Sequence, residues 1–134
     1  MLQMNPIITI IACLLLAGCA TASTTNTLTQ LDDGKVVNMT VGQILTVELP
    51  SNRTTGFSWN EPATTETVLE RVGEPAYVTD PVPSGMAGVG GQEIWRFRAT
   101  KAGRQTLRLE YARPWEKNVT PAKVASFKIV VGGR

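Results

Sequence analysis

Four stretches of this chain alternate apolar and polar residues with a period of two, and that pattern restricts the fold more than any other feature. Leu45, Val47 and Leu49 alternate with Thr46 and Glu48. Trp95, Phe97 and Ala99 alternate with Arg96 and Arg98. Leu107, Leu109 and Tyr111 alternate with Arg108 and Glu110, and Phe127, Ile129 and Val131 with Lys128 and, as the one apolar exception, Val130. Successive side chains of a strand point to opposite faces, so each run reads as a strand with one buried and one solvated face. Turn signals separate the runs at Val41-Gly42, Pro50 to Gly56, Pro81 to Gly91, Lys101-Ala102-Gly103, Arg113-Pro114 and Pro121. No stretch sustains a capped helical pattern over three turns. Short strands at this spacing predict an all-β sandwich rather than a barrel.

The Lys101-Ala102-Gly103 turn followed by Gln105, Leu107, Leu109 and Tyr111 at every second position resembles the E–F corner and F strand of an immunoglobulin-like domain, with Tyr111 as a candidate corner tyrosine. The fold expected is an immunoglobulin-like β-sandwich of about seven to eight strands, occupying residues 34–134 as one domain.

Composition removes most chemistry. The chain has no histidine, and its two cysteines, Cys13 and Cys19, both precede the strands. His-based triads, Cys-His pairs and His-ligated zinc are therefore excluded, and the sandwich must rest on an apolar core without a disulfide. The carboxylates Glu48, Glu61, Glu93, Glu110 and Glu116 form no recognisable catalytic constellation, and Glu48 and Glu110 read as solvent-facing strand residues. No enzyme activity and no cofactor or metal is expected. A net charge of +2 from scattered residues does not point to nucleic acid.

Ile7 to Leu16 form a ten-residue apolar run, closed by Ala17-Gly18-Cys19. A bilayer core needs about 20 helical residues, so the run reads as the h-region of a signal peptide covering residues 1–18. Leu16-Ala17-Gly18-Cys19 resembles the bacterial lipobox, which implies lipidation of Cys19. Ala20 after the cysteine implies sorting to the outer membrane. The localisation expected is the bacterial cell envelope, with the lipoprotein facing the periplasm or the outside. Residues 20–30 are polar, Thr-rich and uncharged, and residues 19–33 are expected to form a flexible tether behind the lipid anchor.

Three segments between strands are unusual for generic turns: Asn52-Arg53-Thr54-Thr55-Gly56-Phe57, Gly85-Met86-Ala87-Gly88-Val89-Gly90-Gly91 and Arg113-Pro114-Trp115. Each has a plain reading. Thr-Thr-Gly makes a turn with Gly56 at positive φ. The glycine-rich stretch makes a pliable hairpin loop; it leads into a strand and lacks the Lys-Ser/Thr of a phosphate loop. Trp115 could pack back on its own sandwich. Jointly, the three loops would converge on one end of an immunoglobulin-like sandwich, where Trp and Arg are the residues that dominate binding energy at interfaces.

The ordered motifs Asn52-x-Thr54-Thr55-Gly56-Phe57, Gly88-x-Gly90-Gly91 and Arg113-Pro114-Trp115-Glu116 resemble those of the chagasin family, inhibitors of papain-family cysteine proteases. The resemblance covers residues 34–131. It implies a monomeric, reversible, tight-binding competitive inhibitor that inserts the B–C loop into the protease cleft, flanked by the D–E and F–G loops. The partner would be a papain-like cysteine protease, met by Asn52, Arg53, Thr54, Thr55, Gly56, Phe57, Gly88, Val89, Gly90, Gly91, Arg113, Pro114 and Trp115. Thr54 and Thr55 would lie at the catalytic centre and Trp115 on the primed side. Arg53 stands where the family has proline, which predicts a less preorganised loop and a shifted target preference. The competing reading is an immunoglobulin-like envelope lipoprotein acting as an adaptor or structural module; it accounts for signal, tether and fold but not for the motifs.

Overall fold

The computed structural model describes Gly18 and residues 26–62, 67–82, 85 and 88–133. The signal-peptide run before Gly18, Cys19, Met86 and Ala87 lie outside these residues. Nine strands are present among them: β1 (Asn26–Thr29), β2 (Val36–Thr40), β3 (Ile44–Ser51), β4 (Ser58–Asn60), β5 (Leu69–Arg71), β6 (Ala76–Thr79), β7 (Gly91–Ala99), β8 (Gly103–Ala112) and β9 (Lys123–Gly132). One sheet runs β1-β3-β7, with β5 and β6 both on the far edge of β7; the other runs β2-β9-β8-β4. The break between β5 and β6 falls at Gly73, whose φ is 70°, followed by Pro75, which has no N–H to give a ladder. Counted as one interrupted edge, β5 and β6 bring the sandwich within the strand number expected.

All four alternating runs form strands, and their apolar members make the core. Leu45, Val47, Leu49, Trp95, Phe97 and Ala99 of the first sheet pack with Leu107, Leu109, Tyr111, Ala125, Phe127, Ile129 and Val131 of the second, all buried. The registers Leu45↔Phe97 and Leu107↔Phe127 put large residues side by side on the inner faces. Truncating any of these leucines to alanine would cost about 2–5 kcal/mol.

The folded unit begins earlier than composition suggests. Residues 26–33, read as tether, belong to the sandwich. β1 pairs in parallel with β3 from Asn26↔Leu45 to Thr29↔Glu48, and Leu28 is buried. Thr29 then caps a short 3₁₀ turn, its hydroxyl accepting from Leu31 N–H while Asp32 accepts from Thr29 N–H. Threonine is β-branched and suits a strand even where few apolar residues accompany it.

The parallel pairing also sets polarity. Asn26 lies beside Leu45, whereas the chain leaves β3 after Ser51, about 20 Å further along the strand. The segments after β3, before β7 and after β8 all lie at that second end. The chain therefore enters the sandwich at the end opposite the three motif-bearing loops.

Candidate loop-end binding site

The Asn52–Phe57 loop is a capped turn. Asn52 is extended (φ −131°, ψ 95°) and caps a 3₁₀ turn over Arg53–Thr55, and Gly56 closes it in the left-handed region at φ 80°. Asn52 Oδ1 accepts from Thr54 N–H at 3.1 Å and from the Thr54 hydroxyl. The Thr55 hydroxyl donates to Asn52 O at 2.7 Å. Both threonine residues are exposed with their hydroxyl donor already used inside the loop, so towards a partner these hydroxyls act as acceptors. Arg53 takes the first position of this turn, where the family has proline, and its exposed guanidinium lies 4.6 Å above the Tyr77 ring.

The third motif docks against the first. Arg113 to Glu116 form a turn closed by Glu116 N–H donating to Arg113 O at 3.1 Å, with Pro114 at the position where its fixed φ suits a turn. Arg113 Nε donates to Thr55 O at 3.2 Å, its guanidinium lies 4.4 Å over the Phe57 ring, and its other arm pairs with Glu116. The Trp115 indole packs against Gly56, yet the residue stays 66% exposed. It thus packs on a neighbouring loop and still presents most of its ring to solvent.

The glycine-rich segment contributes unevenly. Asn52 Nδ2 donates to Gly88 O at 3.2 Å, and Gly88 has a φ of 74° with open space around it. Val89 and Gly90 are half-buried. Gly91 is a buried strand residue, the first of β7. A Cβ there would meet Val78 O at 2.3 Å and the Tyr77 ring at 2.8 Å, so its missing side chain admits β6. Gly91 thus shapes the root of the loop and is not on its surface.

Below the loops lies a layer that the motifs did not disclose. The Tyr111 hydroxyl accepts from Asn52 N–H at 2.9 Å, and its ring stacks on Phe57 at 5.3 Å and packs on Trp59 at 5.1 Å. Tyr111 sits at the end of β8 far from the Lys101-Ala102-Gly103 turn. It braces the first loop and is not a corner tyrosine. Glu93 is buried, accepts from the Ser51 hydroxyl at 2.7 Å and receives Trp59 N–H on both oxygens at 3.3 Å. Trp59 Nε1 donates to Pro50 O at 3.0 Å. Parity could have found Glu93: it is two residues before Trp95 and shares the inward face of that strand. Among the described residues no group of His, Cys, Asp and Glu could hold a metal ion.

The end of the sandwich is therefore an exposed ridge in which the Asn52–Phe57 loop is bonded to each of the other two loops. Comparison with known proteins identifies the family of the chain. Residues 38–131 match the sequence profile of the chagasin family of peptidase inhibitors, I42. Chagasin of Trypanosoma cruzi is 34% identical over 88 residues, covering 65% of this chain and 80% of chagasin. Amoebiasin-2 of Entamoeba histolytica is 28% identical over 104 residues, covering 78% of this chain and 83% of that protein. The crystal structure of a cysteine protease inhibitor from Entamoeba histolytica matches with a TM-score of 0.71 at 26% identity, covering 81% of this chain and 96% of that one. The profile match runs from β2 to β9 and encloses all three loops, and the chain belongs to the chagasin family of peptidase inhibitors.

Proposed function

We propose that this chain is a reversible, tight-binding competitive inhibitor of papain-family cysteine proteases, with the Asn52–Phe57 loop entering the active-site cleft and the Gly88–Gly90 and Arg113–Trp115 segments gripping its walls. The observation that carries the reading is the bracing of the Asn52–Phe57 loop by both other motif-bearing loops at one end of a domain from an inhibitor family. The relatives named above as chagasin and as a cysteine protease inhibitor support the class of partner. A ridge held by its own hydrogen bonds loses little entropy on docking, so more of the contact energy appears as affinity. The acceptor hydroxyls of Thr54 and Thr55 suit donors of a catalytic centre. Gly56 turns the backbone away from the extended form a protease cleaves.

We further propose that the chain is exported and lipidated at Cys19 in a bacterial envelope. Its entry at Asn26, opposite the loops, would leave the ridge pointing away from an anchoring membrane. Titration of the chain from residue 20 onward into papain, with a fluorogenic peptide substrate, tests the inhibitor reading. Competitive inhibition in the nanomolar range with the inhibitor uncleaved is the expected result. No inhibition at micromolar concentration would turn the assignment toward an adaptor module.

A further inference from the structure

We infer that Glu93 is a positioning residue of the inhibitor: it fixes the separation of the two strand ends that carry the Asn52–Phe57 loop, and so sets the fraction of molecules whose loop is ready to dock. The inference rests on the inhibitor reading.

Glu93 is 1% exposed and forms no ion pair among the described residues. A carboxyl group on the inner face of a sandwich is unfavourable to bury, and an apolar residue of similar size would serve packing better. Its partners show what it does instead. Ser51 is the last residue of β3 and Trp59 is the middle residue of β4, so the two straddle the loop. They also belong to different sheets. Glu93 Oε1 takes the Ser51 hydroxyl at 2.7 Å, while Trp59 N–H bridges both oxygens at 3.3 Å. β4 is the edge of its sheet and pairs only with β8 among the described strands. Trp59 N–H would otherwise be a buried donor without an acceptor, in a residue 3% exposed. One side chain thus clamps both feet of the loop. It stands two residues after Gly91, where the glycine-rich segment enters β7.

A clamp of this kind acts before the protease arrives. When only a fraction of molecules holds the competent loop, apparent affinity falls by that fraction. Once docked, the protease itself holds the loop. Loss of Glu93 should therefore slow association and leave dissociation near the wild-type rate. Loss of a residue that touches the protease acts mainly on dissociation.

The test is Glu93→Met, which keeps the length of the side chain and removes both acceptors, with Glu93→Gln and Ser51→Ala beside it. Amide hydrogen exchange on the free proteins follows Thr54, Thr55 and Gly56, whose N–H groups are bonded within the loop. The expected result for Glu93→Met is faster exchange at these three amides, unchanged protection in β8 and β9, and association with papain about tenfold slower. Glu93→Gln keeps one acceptor and should fall between it and wild type. Unchanged loop exchange and unchanged association in a folded variant would overturn the inference. If Glu93→Met does not fold, the same readings on Glu93→Gln and Ser51→Ala decide. If the wild type does not inhibit papain, the exchange data still decide on the clamp, and the inhibitor reading alone fails.

Discussion

The indole of Trp115 rests on Gly56, so closely that a Cβ built there would lie 2.3 Å from Trp115 Cη2. Gly56 also needs its left-handed φ of 80° to close the turn. Two separate demands thus fall on one residue, and the contact joins the first loop to the third. Gly56→Ala would strain the backbone by about 1–2 kcal/mol and push the indole off its seat. Inhibition of papain should weaken by about tenfold or more, with a fall in the thermal midpoint of roughly 5–15 °C. Unchanged inhibition would mean that the seat of Trp115 is irrelevant to docking.

Trp115→Ala separates affinity from stability. Two-thirds of the residue is exposed, so little buried area is lost on truncation. The thermal midpoint should not move. Binding should weaken by about 2 kcal/mol or more, as for an aromatic anchor at the centre of an interface. A loss of only a few tenths of a kcal/mol would place the indole outside the contact. Combined with Gly56→Ala, the loss should be less than additive, because both changes remove the same seated ring.

Asn52 works in three directions, to Thr54 N–H, to the Thr54 hydroxyl and to Gly88 O. Asn52→Ala removes the cap and the tie to the glycine-rich segment together. The expected loss is about 1 kcal/mol of stability, read as a lower denaturant midpoint with unchanged slope. Inhibition should weaken by a similar factor on every protease tested, since the defect is in the shape of the loop. A variant of normal stability and normal affinity would show that the cap is dispensable.

The alternating runs disclosed the sandwich because a half-buried strand writes its parity directly into sequence, as in Leu45, Val47 and Leu49 against Thr46 and Glu48. The ordered motifs disclosed three loops that meet at one end of the fold. Position within a motif did not tell surface from root: Gly91 reads like Gly88 in sequence, yet one is a buried strand residue and the other is exposed. Asn26 to Thr29 carry a single buried leucine, so the strand is visible only through its pairing with β3, a contact remote in the chain. Parity marks Glu93 as inward-facing but does not give its role. A charged residue at inward parity becomes intelligible only once Ser51 and Trp59 are seen to converge on it.

The early start of the fold has a pH signature. The Asp32 carboxyl is lowered from 3.8 to about 2, first by its hydrogen bond with Lys35 and then by those from Thr29. An acid whose folded pKa lies below its unfolded one contributes stability above the unfolded value and loses it as pH falls through the folded value. The contribution is therefore intact above 3.8 and fades towards about 2. Asp32→Asn should lower the thermal midpoint at neutral pH, with the gap from wild type narrowing across that window. A gap that stays constant down to the lower limit would show that the turn after β1 does not depend on this carboxylate.

Arg53→Pro tests target choice. Asn52 is already extended at φ −131° and ψ 95°, outside the α region that proline disfavours in the residue before it, and Arg53 is the first residue of the capped turn, where proline is favoured. The substitution should be accommodated. A gain of about 0.4–1 kcal/mol from restricting the unfolded chain offsets the loss of the Arg53–Tyr77 contact, which is worth about 0.5–1 kcal/mol at an exposed site. Stability should therefore change little. Binding should change unevenly, because Arg53 carries an exposed charge with no ion pair among the described residues. Proteases with an acidic cleft rim should lose affinity, and their association with wild type should fall more steeply with salt than with the proline variant. Inhibition constants that shift in parallel on acidic and neutral clefts, with equal salt dependence, would sink the selectivity role and leave Arg53 as a replacement for proline that only the loop notices.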